Sequence, residues 1–268
     1  MAFLTGKKVT LYLRLPTNRG ESGHAERAPT IFLFKALVWT FLSFSIPQAS
    51  GAIVEKKFRD PRGLSSVYAY PKLPESGTYG LMIFFHGSGG GPGYKHNLHR
   101  LKTVGKAFKL WPLAIRAPNG RNWPNTDPQK DNGFSNYVVD LLRKEVFKWP
   151  IIDSDKVVFV GWSAGSTFLA GDFLPFFGWE FKGGAVLLCG GGLPYHMGIA
   201  NLKELIKNQR LYFRIGTGDF LYQQARDVAN FYRDAGVWVR GKMPKESGHC
   251  SFSMETELSA GLKVLFQK

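Results

Sequence analysis

The stretch KVVFVGWSAGSTFLAGDFL, Lys156 to Leu174, decides the fold. Its first half, Val157 to Val160, is a short unbroken apolar block, as expected of a strand covered on both faces. Its second half is apolar at wider spacing and suits a helix. Between the two, Gly161-Trp162-Ser163-Ala164-Gly165 sets one serine between glycines at a strand-to-helix turn. In so tight a turn the neighbouring side chains must be small. The serine hydroxyl is then thrust above the sheet at a helix N-terminus, where the amide of Ala164 faces any negative oxygen that develops. The arrangement predicts a nucleophile; an inert serine in a glycine-rich turn is the bland alternative.

Working outward, apolar blocks alternate with helical stretches, which predicts βαβ units and a mostly parallel open sheet with helices on both faces. The other strand candidates are Ser66 to Tyr70, Leu81 to Phe85, Leu113 to Ala117, Ala185 to Leu188, Leu211 to Ile215 and Val237 to Arg240. Val138, Leu141, Leu142 and Val146 form an apolar stripe at helical spacing within Phe134 to Lys148. Further helices are expected after Ser163, over Asn201 to Asn208, over Gln223 to Asp234 and from Glu255 onward.

A nucleophilic serine needs a base, and the base needs an orienting acid; on such a sheet they follow in the order Ser, acid, His. Downstream of Ser163 stand only His196 and His249. His249 lies between the last strand and the last helix, where a loop returns over the sheet, whereas His196 precedes most of the acids. Among the acids, Asp219 alone comes directly after a strand, through Gly216-Thr217-Gly218, and ligand-binding groups gather at the carboxyl ends of strands. The expected triad is Ser163, Asp219 and His249. A second oxyanion donor is sought in the glycine run Gly87-Ser88-Gly89-Gly90-Gly91, with the Ser88 amide first and Gly89 second; His86 is read as a brace for this loop. Trp123, Phe220 and Tyr222, with Tyr195, flank strand ends and are expected to wall the pocket.

Taken together, GWSAG, the HGSGGG loop, GTGD and ESGH resemble the α/β-hydrolase superfamily over roughly residues 65–268. Within it the chain is similar to small bacterial exported esterases related to polyhydroxybutyrate depolymerases, feruloyl esterases and the phospholipase/carboxylesterase group. The resemblance implies a single α/β-hydrolase domain. It also implies hydrolysis of a small-molecule or polymeric carboxylic ester through an acyl-enzyme, without a cofactor. Ser163 would be the nucleophile, Asp219 the acid, His249 the base, and Ser88 and Ala164 the oxyanion donors. Lids of this superfamily usually precede the acid-bearing strand, where only Leu193 to Arg210 is available, so a short cap and an open site are expected. Acyl transfer or peptide cleavage by the same triad, and a non-catalytic binding protein on this fold, remain open alternatives.

Composition bounds the rest. At 268 residues with 44% hydrophobic and 15% aromatic residues, the chain can build one sizeable core. Its net charge of +15 favours anionic surroundings. The basic residues are scattered without a nucleic-acid motif, so no specific nucleic-acid partner is expected. Cys189 and Cys250 lack metal-ligand spacing, and His96 and His99 read as surface residues in a polar loop; no metal is expected. The two cysteines either pair, tethering the loop that carries His249, or stay as buried thiols. Residues 30–52 have the plan of a secretory signal peptide: Lys35, an apolar run to Ile46, then Pro47 and small residues. That run is too short for a comfortable transmembrane span. Cleavage is expected between Ala49 and Ile53, with export to the periplasm or beyond, the membrane being met only in transit. Residues 1–29 read as a doubtful extension ahead of the true translation start, with 53–268 as the catalytic domain.

Overall fold

The computed structural model describes residues 52–91, 93–124, 133–194 and 209–267. Eight strands form one sheet: β1 (Ile53–Arg59), β2 (Ser65–Pro71), β3 (Tyr79–Phe85), β4 (Leu110–Ile115), β5 (Ile152–Trp162), β6 (Ala185–Leu188), β7 (Arg210–Arg214) and β8 (Trp238–Lys242). Their spatial order is β1-β2-β4-β3-β5-β6-β7-β8. β2 runs antiparallel to both β1 and β4, and every pairing from β4 to β8 is parallel.

The central parallel strands β3, β4 and β6 and the Val157–Val160 stretch of β5 are apolar on both sides because both sides are covered, whereas the outermost β8 exposes Arg240, Gly241 and Lys242. Leu81, Ile83 and Phe85 of β3 and Val157 and Phe159 of β5 point into one core. That core is closed by α2 (Phe134–Lys144), α3 (Ala164–Phe168) and α5 (Tyr222–Asp234). Met82, Phe84, Val158 and Val160 point the other way, into a core closed by α1 (Leu98–Lys106) and α6 (Met254–Phe266). Helix α3 runs through a wider π-helical turn, Leu169–Phe173, into α4 (Leu174–Phe177). Pro175 lies in α4, and a proline offers no N–H to the turn before it, which suits a widened ladder.

The structure departs from the sequence reading at three elements. β1 was not expected: Glu55, Lys56 and Lys57 are solvated, and only Phe58 is buried on this outermost strand. His99 lies in a helix and not in a polar loop, because Leu98, Leu101 and Val104 turn one face of α1 onto the sheet. The helix expected over 134–148 ends at Lys144 and tightens into a 3-10 turn, Val146–Lys148. The signal peptide, the leading extension, the helix over 201–208, the greater part of the cap region, Tyr195 and His196 lie outside the described residues. Among the described residues no helix is long and apolar enough to cross a membrane.

Candidate active site

Ser163 sits between β5 and α3 with φ 52° and ψ −115°, backbone that a non-glycine residue adopts only under strain. Its amide donates to Leu188 O (2.9 Å) and its carbonyl accepts from Thr167 N (3.0 Å), so the turn is held from both sides. Ser166, fully buried, adds a reciprocal pair with the Leu188 backbone, its Oγ donating to Leu188 O at 2.8 Å and accepting from Leu188 N at 2.9 Å. The glycine at 165 is dictated by contact: a Cβ there would lie 2.2 Å from Phe85 O, inside any permissible separation.

The structure brings the three expected residues into one chain of hydrogen bonds. Ser163 Oγ and His249 Nε2 are 2.7 Å apart, and His249 Nδ1 is 2.9 Å from both oxygens of Asp219. An ionised carboxylate only accepts, so Nδ1 carries the proton and Nε2 presents its lone pair to the serine hydroxyl. Asp219 also accepts from Leu221 N at 2.9 Å and Cys250 N at 3.2 Å, and its side chain is wholly buried. The acid is thereby fixed by two backbone donors besides the imidazole.

Next to the serine lies an open pocket of about 190 Å³. Ser88 and Ala164 line it beside Ser163, together with Trp123 and Phe220. In the glycine loop, Gly90 N donates to Gly87 O (3.1 Å), and Gly89 at φ 71° supplies the positive angle that the third position of a type II turn requires. His86 braces this loop. Its Nδ1 donates to Gly87 O at 2.8 Å, and its Nε2 accepts from Ala117 N at 3.1 Å. Both ring nitrogens are thus committed to backbone. Burial holds its pKa below the ordinary imidazole value and the Arg116 charge adds to this, though the bond to Gly87 opposes the shift.

Trp123 is almost fully buried: its ring stacks on Phe168 at 4.8 Å and meets Phe85 edge-on at 4.8 Å, so it forms a rigid floor. Phe220 is the reverse case, 75% exposed, with its ring centroid 4.5 Å from that of His249. Tyr222 does not line the pocket. It opens α5, where successive residues turn by about 100°, and its ring lies 6.0 Å from the Arg226 guanidinium. Leu221 and Gln224, three apart and so on one face, line the pocket in its place, with Asn122 and Thr167. Thr167 is four residues beyond Ser163 along the same helix, a spacing from which it could have been anticipated.

Cys189 and Cys250 form a disulfide across 61 residues. It brings Cys189, His249 and Cys250 within 4.8 Å of one another, but sulfurs bonded to each other are not thiolate ligands, so the group is a tether for the loop.

No family model and no curated protein matches the sequence. Solved structures do. A Bacillus cereus carboxylesterase is similar at 16% identity and TM-score 0.56, over 82% of this chain and 96% of that one. A substrate-bound Staphylococcus aureus fluorophosphonate-binding serine hydrolase is similar at 12% identity and TM-score 0.59, over 81% and 99%. A thermostable esterase from Pseudomonas putida is similar at 12% identity and TM-score 0.59, over 82% and 85%. The fold is an α/β-hydrolase fold. In an α/β-hydrolase fold the strand-to-helix turn after β5, the loop after β7 and the loop after β8 meet above the carboxyl edge of the sheet, where Ser163, Asp219 and His249 stand here.

Proposed function

We propose that this protein is a serine esterase that works through Ser163, His249 and Asp219. The observation that carries the proposal is the unbroken relay from Asp219 through His249 to the serine hydroxyl, opening on a pocket. Three solved structures of similar fold bear the names of a carboxylesterase, a serine hydrolase and an esterase, which supports the same chemistry. Ser163 Oγ attacks the ester carbonyl carbon while His249 Nε2 takes its proton, and Asp219 stabilises the imidazolium that results. The backbone amides of Ser88 and Ala164 donate to the carbonyl oxygen as it becomes an oxyanion. Collapse expels the alcohol, which receives the proton from His249, and leaves an acyl-serine. Water, deprotonated by the same imidazole, then releases the acid.

The alcohol must depart toward Nε2, so the wall in contact with His249 faces the leaving group. Phe220 forms that wall, and Trp123 lies at the floor among Phe85 and Phe168. A pocket of about 190 Å³ suits a modest acyl group better than a long lipid chain. We further propose that the protein is exported; the Cys189–Cys250 disulfide supports a life in an oxidising compartment.

A chain-length panel of p-nitrophenyl esters, run on wild type and Ser163→Ala, tests the reading. Wild type should turn over short acyl esters, and the variant should lose roughly 10⁴-fold in kcat or more. Covalent labelling by a fluorophosphonate without turnover of any ester would point instead to acyl transfer or peptide cleavage. Absence of both would make the protein a binding module.

A further inference from the structure

His249 lies in a loop, residues 243–253, between β8 and α6. Asp219 orients its ring, but orientation alone does not set how far a loop stands from the serine. The Cys189–Cys250 disulfide ties the loop to the sheet just after the histidine, and one side chain grips the loop on both sides of it. Arg214 ends β7 and is 2% exposed. Its Nη2 donates to both carboxylate oxygens of Glu246, each at 2.7 Å, three residues before His249. Its guanidinium lies 4.3 Å from the ring centre of Phe252, three residues after His249. Phe252 in turn meets the Trp162 ring edge-on at 5.4 Å, and Trp162 immediately precedes Ser163. A second carboxylate, Glu257 of α6, approaches Arg214 Nε at 3.1 Å without hydrogen-bond alignment.

Burying a guanidinium is costly unless it is paired, and here the hydrogen bonds to Glu246, the nearby charge of Glu257 and an aromatic face offset part of that cost, Nε and Nη1 making no hydrogen bond. The backbone agrees with the side chains. The Arg214 carbonyl accepts from Cys189 N at 2.7 Å, and the Glu246 carbonyl accepts from Gly218 N at 2.8 Å, one residue before Asp219. Trp162, Phe252, Arg214 and Glu246 therefore form a continuous stack from the residue beside the nucleophile to the loop of the base. Arg214 is absent from the pocket lining, so it is placed to act on substrate only through His249.

We propose that Arg214 is a positioning residue: by clamping Glu246 and Phe252 it fixes the reach between His249 Nε2 and Ser163 Oγ. The proposal rests on the reading of Ser163 and His249 as the reacting pair. A lysine cannot replace it, because an ammonium lacks the planar fork and the flat face that the two contacts use.

The test is steady-state kinetics on a short p-nitrophenyl ester, with melting temperatures, for full-length wild type, Arg214→Lys, Arg214→Met, Glu246→Gln and the double variant Arg214→Met/Glu246→Gln. Displacing a catalytic group by about 1 Å can cost on the order of 100-fold in rate. Arg214→Met should therefore lose about 10- to 100-fold in kcat with KM within about twofold, and Arg214→Lys should fail to restore it. The double variant should be no slower than Arg214→Met, since both changes break one clamp. The fluorophosphonate labelling rate of Ser163 should fall with kcat. Unchanged kcat per folded molecule, with only a lower melting temperature, would overturn the proposal; so would a rise in KM at constant kcat, or strictly multiplicative losses in the double variant. If Arg214→Met does not fold, Glu246→Gln, which changes charge and scarcely volume, decides alone: wild-type kcat in that variant refutes the clamp. A wild type that neither labels nor hydrolyses esters would instead refute the esterase reading beneath it.

Discussion

Removing the Cys189–Cys250 disulfide should cost stability and activity together, because the bond closes a long loop and ends beside His249, the proposed base. The crosslinked residues are 61 apart, and constraining an unfolded chain over such a loop is worth about 4 kcal/mol in the chain-entropy picture. Part of that is offset in the native state. Both cysteines hold left-handed backbone, φ 48° at Cys189 and φ 54° at Cys250, at a cost of about 1 kcal/mol each that the uncrosslinked chain is free to relax. The net loss should then fall at about 2 to 4 kcal/mol. With a urea dependence of about 2 kcal/mol per molar, the unfolding midpoint should drop by about 1 to 2 M. The assay is urea unfolding of wild type, with and without a thiol reductant, beside Cys189→Ser/Cys250→Ser. Ester turnover is read in the same samples below the transition. Reduced wild type and the double variant should coincide and both lose turnover, since Cys250 adjoins His249 and donates to Asp219. A midpoint within about 0.3 M of wild type would show that the crosslink does not hold the fold together, and alkylation of both thiols in the folded, unreduced protein would show that it does not form.

Three other outcomes follow from the same coordinates. Gly165→Ala should lose at least about 100-fold in kcat and lower the melting temperature, because the new methyl would stand 2.2 Å from Phe85 O and push the turn off the sheet. A kinetically normal variant would show that the turn is not tightly packed. Phe220→Ala should lower kcat/KM about tenfold for aryl and bulky alcohol esters and much less for methyl esters of the same acid, with acyl preference unchanged; competition between esters measures this. Stability should fall as pH drops below about 6.5, because burial depresses the native pKa of His86 so that the unfolded chain binds a proton the native chain refuses. The stability from neutral His86 is thus present above the unfolded value and lost as pH falls toward the native one. His86→Gln should flatten this dependence, and denaturant midpoints from pH 5 to 8 would reveal a slope that does not change.

The parts of the fold most legible in the sequence were those buried on both faces. β3, β6 and the Val157–Val160 stretch of β5 are nearly pure apolar runs, so their composition alone announces strands, whereas the polar Asp153 to Lys156 half of β5 gave no such signal; the shift in spacing across Gly161 to Gly165 announces the turn. β1 escaped because an outermost strand with solvated Glu55, Lys56 and Lys57 has no inward pattern to read. α1 escaped because its apolar stripe is only Leu98, Leu101 and Val104, diluted by His99, Arg100, Lys102 and Thr103. At the site, the meeting of Ser163, Asp219 and His249 in one hydrogen-bonded chain was legible because each stands at an element boundary in a fixed order. Tyr222 was misplaced because proximity to Asp219 in sequence says nothing of which way a helix turns its next residue. Arg214 gave no signal: it is one of two arginines that bracket the apolar Leu211 to Phe213 of β7, and its partners Glu246, Phe252 and Glu257 assemble only when β7, the histidine loop and α6 are packed together.

The most direct test of the account is to map a fluorophosphonate adduct by peptide mass spectrometry in wild type and in His249→Ala. One adduct is expected, on Ser163, formed at least about 1000-fold more slowly when the imidazole is removed. An adduct on another residue, or labelling of Ser163 at an undiminished rate without His249, would contradict it.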